Sequence, residues 1–153
     1  MKFSLKIISI AAITAMISCV STKSTIRNID NNAPDLVLLK NNTFQITEYS
    51  TDPKYGYNKD YPVNIFYKDI KNDSINQMRF LNALAGPNGE TLRFRKLESC
   101  CPYPTKRNEL GGVGMLDVYE IDWEGPHKPL KIYINMYDKG YVKVPVGLTL
   151  KKQ

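Results

Sequence analysis

Cys100 and Cys101 stand side by side in Ser99-Cys100-Cys101-Pro102-Tyr103-Pro104, and the chain has one other cysteine, Cys19. Several arrangements of this pair are open. A disulfide between neighbours has to close a small ring. Adjacent Cα atoms lie ~3.8 Å apart across a trans peptide, whereas ordinary disulfides span ~4.4–6.8 Å. Such a ring distorts its peptide and is readily reduced, so it could serve as a redox switch. A structural zinc wants four ligands at spacings such as C-x-x-C, and besides the adjacent thiols there is only His127. A thioredoxin-type site wants C-x-x-C at a helix start, and Pro102 and Pro104 oppose a helix there. The plainest arrangement is a strand end, where neighbouring side chains point to opposite faces. No metal and no cofactor is expected.

Other residues invite chemistry less strongly. Asp117, Glu120, Asp122 and Glu124 line one segment, and paired carboxylates can cleave glycosides. Cross-strand ion pairs with the basic run Arg93-Phe94-Arg95-Lys96 account for them equally. Gly111-Gly112-Val113-Gly114 lacks the phosphate-loop frame and precedes a strand rather than a helix, so a bulge or a tight approach is expected there. His127 lies in a proline-rich turn and reads as an exposed loop residue. Of ten tyrosines, Tyr49, Tyr55, Tyr57 and Tyr61 fall in one loop-like segment. Their flat amphipathic faces can stack on sugars or fill a partner's groove, or else cover the edge of a sheet. With Arg93 and Arg95 they form the candidate binding surface.

The elements that position these groups begin with an address. Lys2 and Lys6 precede an apolar run, Ile7 to Ile17, and small Ser18 precedes Cys19. That is the layout of a secretory signal, and the run is shorter than the ~20 apolar residues a spanning helix needs. Met16-Ile17-Ser18-Cys19 resembles the bacterial lipobox, whose cysteine is acylated and becomes the new N-terminus. Residues 1–18 are then a lipoprotein signal peptide, 19–34 a flexible tether rich in Ser, Thr and Asn, and 35–153 one domain. With Cys19 acylated, no third cysteine remains for an ordinary bridge.

Without residues 1–18 the 153-residue chain keeps 135, enough for one modest core. Loss of Lys2 and Lys6 takes the formal net charge from +6 to +4. The remaining charges are scattered, whereas a nucleic-acid binder needs a concentrated stripe and a reading motif. No nucleic-acid partner is expected. Asp35 to Leu39 and Thr43 to Glu48 read as strands about an Asn41-Asn42 turn. The segment 49–62 has the turn chemistry of a long loop, and Val63 to Tyr67 is extended. Asp73 to Ala85 predicts the main helix, capped by Asp73 or Ser74, with Ile75, Met78, Leu81 and Leu84-Ala85 on its buried face. Thr91 to Leu97, Val113 to Trp123 and Leu130 to Tyr137 predict strands. Tyr141 to Val144 and Leu148 to Leu150 are expected to close the sheet. The fold class is α+β, an antiparallel sheet with one main helix packed on it.

Several segments in succession resemble a family of small Bacteroidetes (flavobacterial) lipoproteins of unestablished function. They are Thr51-Asp52-Pro53-Lys54-Tyr55-Gly56-Tyr57, Arg79 to Glu90, Ser99 to Tyr103, Gly111 to Glu120 and Tyr133 to Gly140. Members are sometimes labelled 2-dehydro-3-deoxyphosphooctonate aldolase. The aldolase of that name is a TIM barrel of ~250 residues, and 135 residues cannot close one. In several surface lipoproteins of this type acidic residues follow the cysteine as an export tag. Val20 to Ile29 has none, so the resemblance implies a protein facing the periplasm. The expectation is a membrane-anchored, non-enzymatic envelope accessory or binding module, with an envelope protein or glycan as partner. The alternative is a thiol redox switch or small enzyme centred on Cys100 and Cys101.

Overall fold

The computed structural model describes residues 24–108 and 111–152. The signal segment and Cys19 lie outside them. The described chain is mostly β with one α-helix: β1 (Val63–Asn64), a 3-10 turn (Ile70–Asn72), α1 (Asp73–Leu81), β2 (Leu84–Ala85), β3 (Arg93–Pro104), β4 (Val113–Asp122), β5 (Leu130–Asn135) and β6 (Thr149–Leu150). Among the described residues no helix is long and apolar enough to cross a membrane.

The main sheet runs β1-β5-β4-β3. β3, β4 and β5 form an antiparallel meander, as alternation in Arg93 to Lys96 and the turn at 124–129 require. β1 departs from the all-antiparallel expectation. It pairs parallel with β5, Val63 opposite Ile134 and Asn64 opposite Asn135. Side-chain alternation is identical in both directions, so the pattern could not reveal this. β1 enters at the far edge of the sheet, and the long connection through α1 sets its direction.

The helix stops at Leu81, four residues before the expected end. Asn82 forms its C-cap. Leu84 and Ala85 are instead the β2 partners of Leu150 and Thr149. Buried strand residues at these positions satisfy the same apolar spacing. This second, two-stranded sheet takes Thr149 and Leu150, which therefore do not close the main one. At the N-terminus, Asn72 is the N-cap and makes no side-chain capping bond. The buried face of α1 is Asn76, Gln77, Phe80 and Leu81, and Ile75 is 48% exposed.

Phe80 and Leu81 pack over Val63, Ile65, Tyr119, Ile121, Ile132 and Ile134 to make the core. The Asn41-Asn42 turn forms as expected, with Leu38 bridging Phe44 and Asn42 in the left-handed region at φ 61°. Tyr49 bridges Val144, which places the tyrosine loop beside residues 141–146.

Residues 24–34, expected to be free tether, lie against the domain. Ile26 is 7% exposed and Ala33 is buried. The Asn28 side chain donates to the Pro62 carbonyl at 2.7 Å, and the Asp30 amide donates to the Lys139 carbonyl at 2.9 Å. Three apolar side chains, Ile26, Ile29 and Ala33, are too few in a polar run to show a period, yet they suffice to seat the segment.

Candidate functional site

β3 brings Cys100 and Cys101 together as a disulfide. Their Cα atoms are 3.7 Å apart, the spacing of a trans peptide. The chain closes this ring by bulging. The β3–β4 register shifts between Cys100 and Tyr103, and Cys101 takes φ 60°. The left-handed region costs a side-chain-bearing residue about 1–2 kcal/mol. Of the arrangements open from sequence, the strand-end pair of free thiols is therefore not the one adopted.

Cys101 packs against a small apolar cluster of Ile26, Tyr103 and Leu116. Below it Tyr103 is fully buried. Its hydroxyl contacts Asn135 Oδ1 and donates to Asp138 Oδ2 at 2.9 Å. Asn135 Nδ2 donates onward to Asn64 Oδ1 at 2.8 Å, and Asn64 Nδ2 to the Asn28 carbonyl at 2.8 Å. Burial first, then the Asp138 charge, pushes the Tyr103 phenol well above its ordinary range, so it stays a neutral donor. Gly114 makes room for this ring, since a Cβ there would sit 2.8 Å from Tyr103 Cζ. The glycine run thus serves the expected close approach. Asn28 Oδ1 is buried without a hydrogen-bond partner among the described residues.

The carboxylates meet the basic strand in a cross-strand ladder. Arg93 pairs with Asp122 and Arg95 with Glu120, each at 2.8 Å, and Lys96 with Asp117 at 2.7 Å. Asp117 differs from the other two because it is buried. It also accepts from Ser99 Oγ at 2.5 Å and from Gln77 Nε2 at 2.6 Å, and Tyr119 donates to Gln77 Oε1 at 2.5 Å. This network ties α1 to the sheet and engages Asp117 with Lys96, Ser99 and Gln77. Gln77 was missed from sequence because a glutamine on a helix reads as solvated surface. Among the described residues no group of three or more His, Cys, Asp or Glu gathers where a metal could sit.

His127 is not the loose loop residue expected. Its ring stacks on Trp123 with centroids 3.7 Å apart.

The four loop tyrosines divide. Tyr55 is 5% exposed, and its hydroxyl donates to the Tyr141 carbonyl at 3.2 Å while accepting from the Lys143 amide at 3.0 Å. Tyr57 is half-buried and donates to the Val146 carbonyl at 2.9 Å. Burial pushes its phenol up to about 12. These two fasten the loop to residues 141–146. Tyr49 is exposed, and Tyr61 is half-buried at the rim of a groove of about 370 Å³. Tyr141, which sequence reading passed over as a strand residue, lines the same groove and is 51% exposed. Arg27, Lys143, Asp30 and Asp52 complete its polar walls. Arg93 and Arg95 line none of it. They lie on β3, at the opposite edge of the sheet from β1, so the expected surface of tyrosines plus basic strand is two separate surfaces.

Comparisons with protein-family models, with curated protein sequences and with solved structures find no match to this chain.

Proposed function

We propose that this chain is a lipid-anchored envelope protein facing the periplasm, and that it works as a non-enzymatic binding module for a neutral glycan. The observation that carries the reading is the groove at Tyr61 and Tyr141. Its volume of about 370 Å³ falls in the range of small-ligand clefts. Aromatic faces with polar tips suit sugar rings, which are apolar on one face and hydroxylated at the rim. Two cations, Arg27 and Lys143, and two carboxylates, Asp30 and Asp52, line the groove together, a balance of charge that favours a hydroxyl-rich ligand over a polyanion. The signal-like N-terminus and Cys19 supply the address, and the tyrosine loop supplies the contact.

The test is calorimetric titration of the oxidised protein with peptide-free glycan strands and a panel of neutral oligosaccharides. Replacing Tyr141 or Tyr61 with Ala should weaken binding about 5–30-fold, the loss of roughly 1–2 kcal/mol typical of an aromatic anchor. Equal affinity in wild type and both variants would move the ligand elsewhere. No heat with any sugar would remove the glycan.

A second reading, a thiol redox switch, is favoured by the disulfide between Cys100 and Cys101. An exported compartment maintains such a bond.

A further inference from the structure

We infer that Cys100–Cys101 is an exchange site for a dithiol reductant, and that its reduction undocks residues 24–27 from the sheet and opens one wall of the groove. The inference rests on the redox reading above and adds what the switch moves.

The geometry begins with strand alternation. Cys100 is the β4 partner of Leu116, so it shares the face on which Leu116 and Ile26 pack together. A regular strand would send Cys101 to the other face, the one Ser99 and Asp117 occupy. The bulge and the φ of 60° hold Cys101 instead against Ile26, Tyr103 and Leu116. The bond to Cys100 is what keeps it there.

Reduction removes that constraint. A thiolate of the dithiol attacks Sγ of Cys100, the S–S bond breaks, and Cys101 leaves as thiolate and takes a proton. The second thiolate of the reductant then attacks the mixed disulfide. Cys100 leaves as thiolate and is protonated, and the reductant departs as its own disulfide. Two electrons and two protons have moved to the cysteine pair. Cys101 can now relax to extended backbone, which turns its side chain away from Ile26.

The N-terminal strap is unevenly fastened. From Asn28 onward it is held by the Asn28 bond to Pro62, the Asn64 bond to the Asn28 carbonyl and the Asp30 bond to Lys139. In the described residues before Asn28, Ser24 to Arg27, the ties to the domain are the burial of Ile26 and the Arg27 amide bond to the Asp60 carbonyl at 2.9 Å. Loss of a wall around Ile26 therefore acts on residues 24–27 and spares Asp30. Arg27 also lines the groove, so the redox state reaches the ligand site through the strap.

Amide hydrogen exchange on the full-length protein in detergent micelles reads this directly. With excess dithiothreitol, exchange at Arg27 should quicken about tenfold while Asp30 stays within about twofold. A Cys100→Ser, Cys101→Ser variant should match the reduced protein without any reductant. The wild-type comparison is reversible and stands even if that variant folds poorly. Equal Arg27 exchange in oxidised and reduced protein, with the disulfide shown by intact mass, overturns the strap inference and leaves the redox reading standing. Two thiols alkylated before any reduction overturn both.

Discussion

His127 shows how much a single side chain can be fixed by what surrounds it. Its Nδ1 faces the Lys128 carbonyl and its Nε2 the Trp123 carbonyl, each at 3.0 Å. Asp122 Oδ1 lies 3.4 Å from Nε2. A neutral imidazole has one N–H, so it can satisfy only one carbonyl; the imidazolium satisfies both. The Lys128 carbonyl, then the Trp123 carbonyl and the Asp122 and Glu90 carboxylates, raise its pKa above the ordinary 6.5, with burial opposing. A group bound more tightly in its protonated form stabilises the fold fully below its unfolded pKa and loses that contribution as pH rises through the folded value. The midpoint of urea unfolding should therefore fall between pH 6.5 and 8 in wild type and change less in His127→Gln. The His127 ring proton resonance should titrate above ~6.5. A midpoint at or below that value would mean the carbonyls do not hold the ring. From sequence only a histidine in a proline-rich turn was visible, because the stack on Trp123 depends on how residues 124–126 fold back. The same limit applied to the tyrosines: their number and clustering were plain, but Tyr55 as fastener and Tyr141 as groove wall became distinct only once the loop met residues 141–146.

At the level of elements, the β3–β4 ladder and the α1–sheet contact carry different amounts of stability although both are polar. Arg95 and Glu120 sit at the surface, with the Arg95 side chain 70% exposed, where ion pairs are worth about 0–1 kcal/mol. Asp117 is buried among Lys96, Ser99 and Gln77. Removing it strands the donor of the buried Gln77 inside, at about 1–3 kcal/mol. Arg95→Ala should thus shift the unfolding free energy by less than about 1 kcal/mol, and Asp117→Ala should lower it by about 2–3 kcal/mol, measured side by side in denaturant. Equal costs would show that the buried network does not dock the helix. The ladder was legible because opposite charges two residues apart on facing strands announce their pairing. The helix face was not. The spacing of Ile75, Met78 and Leu81 suggested an apolar stripe, but Asp117 needs a donor and Gln77 turns inward to supply it, which leaves Ile75 outside. A partner forty residues away leaves no local trace.

On the scale of the whole molecule, the seated strap changes how the domain would hang from a membrane. Ile26 is the first side chain described as buried against the domain, seven residue steps along the chain from Cys19. Seven residue steps reach at most ~25 Å. An acylated Cys19 would hold the fold close to the bilayer surface, where a fifteen-residue tether would let it roam. Without residues 1–18 the net charge would be +4 and scattered, and exposed charges attract an anionic surface only within about a Debye length and only at low salt. Lipid and charge are therefore separable as anchors. Metabolic labelling with palmitate should mark the wild-type protein, and washing membranes in 1 M salt, where the Debye length is about 3 Å, should leave it bound. Cys19→Ser should take no label and appear in the soluble fraction. Unlabelled wild type retained at low salt and stripped by 1 M salt would instead make the basic surface the anchor. Label that survives in Cys19→Ser would place the lipid on another residue. With the anchor on Cys19, the reduction that frees residues 24–27 would also lengthen the reach of the groove from the membrane, from about seven residue steps to about nine, or from ~25 to ~32 Å, so that one thiol exchange would set both the opening of the groove and its height above the lipid.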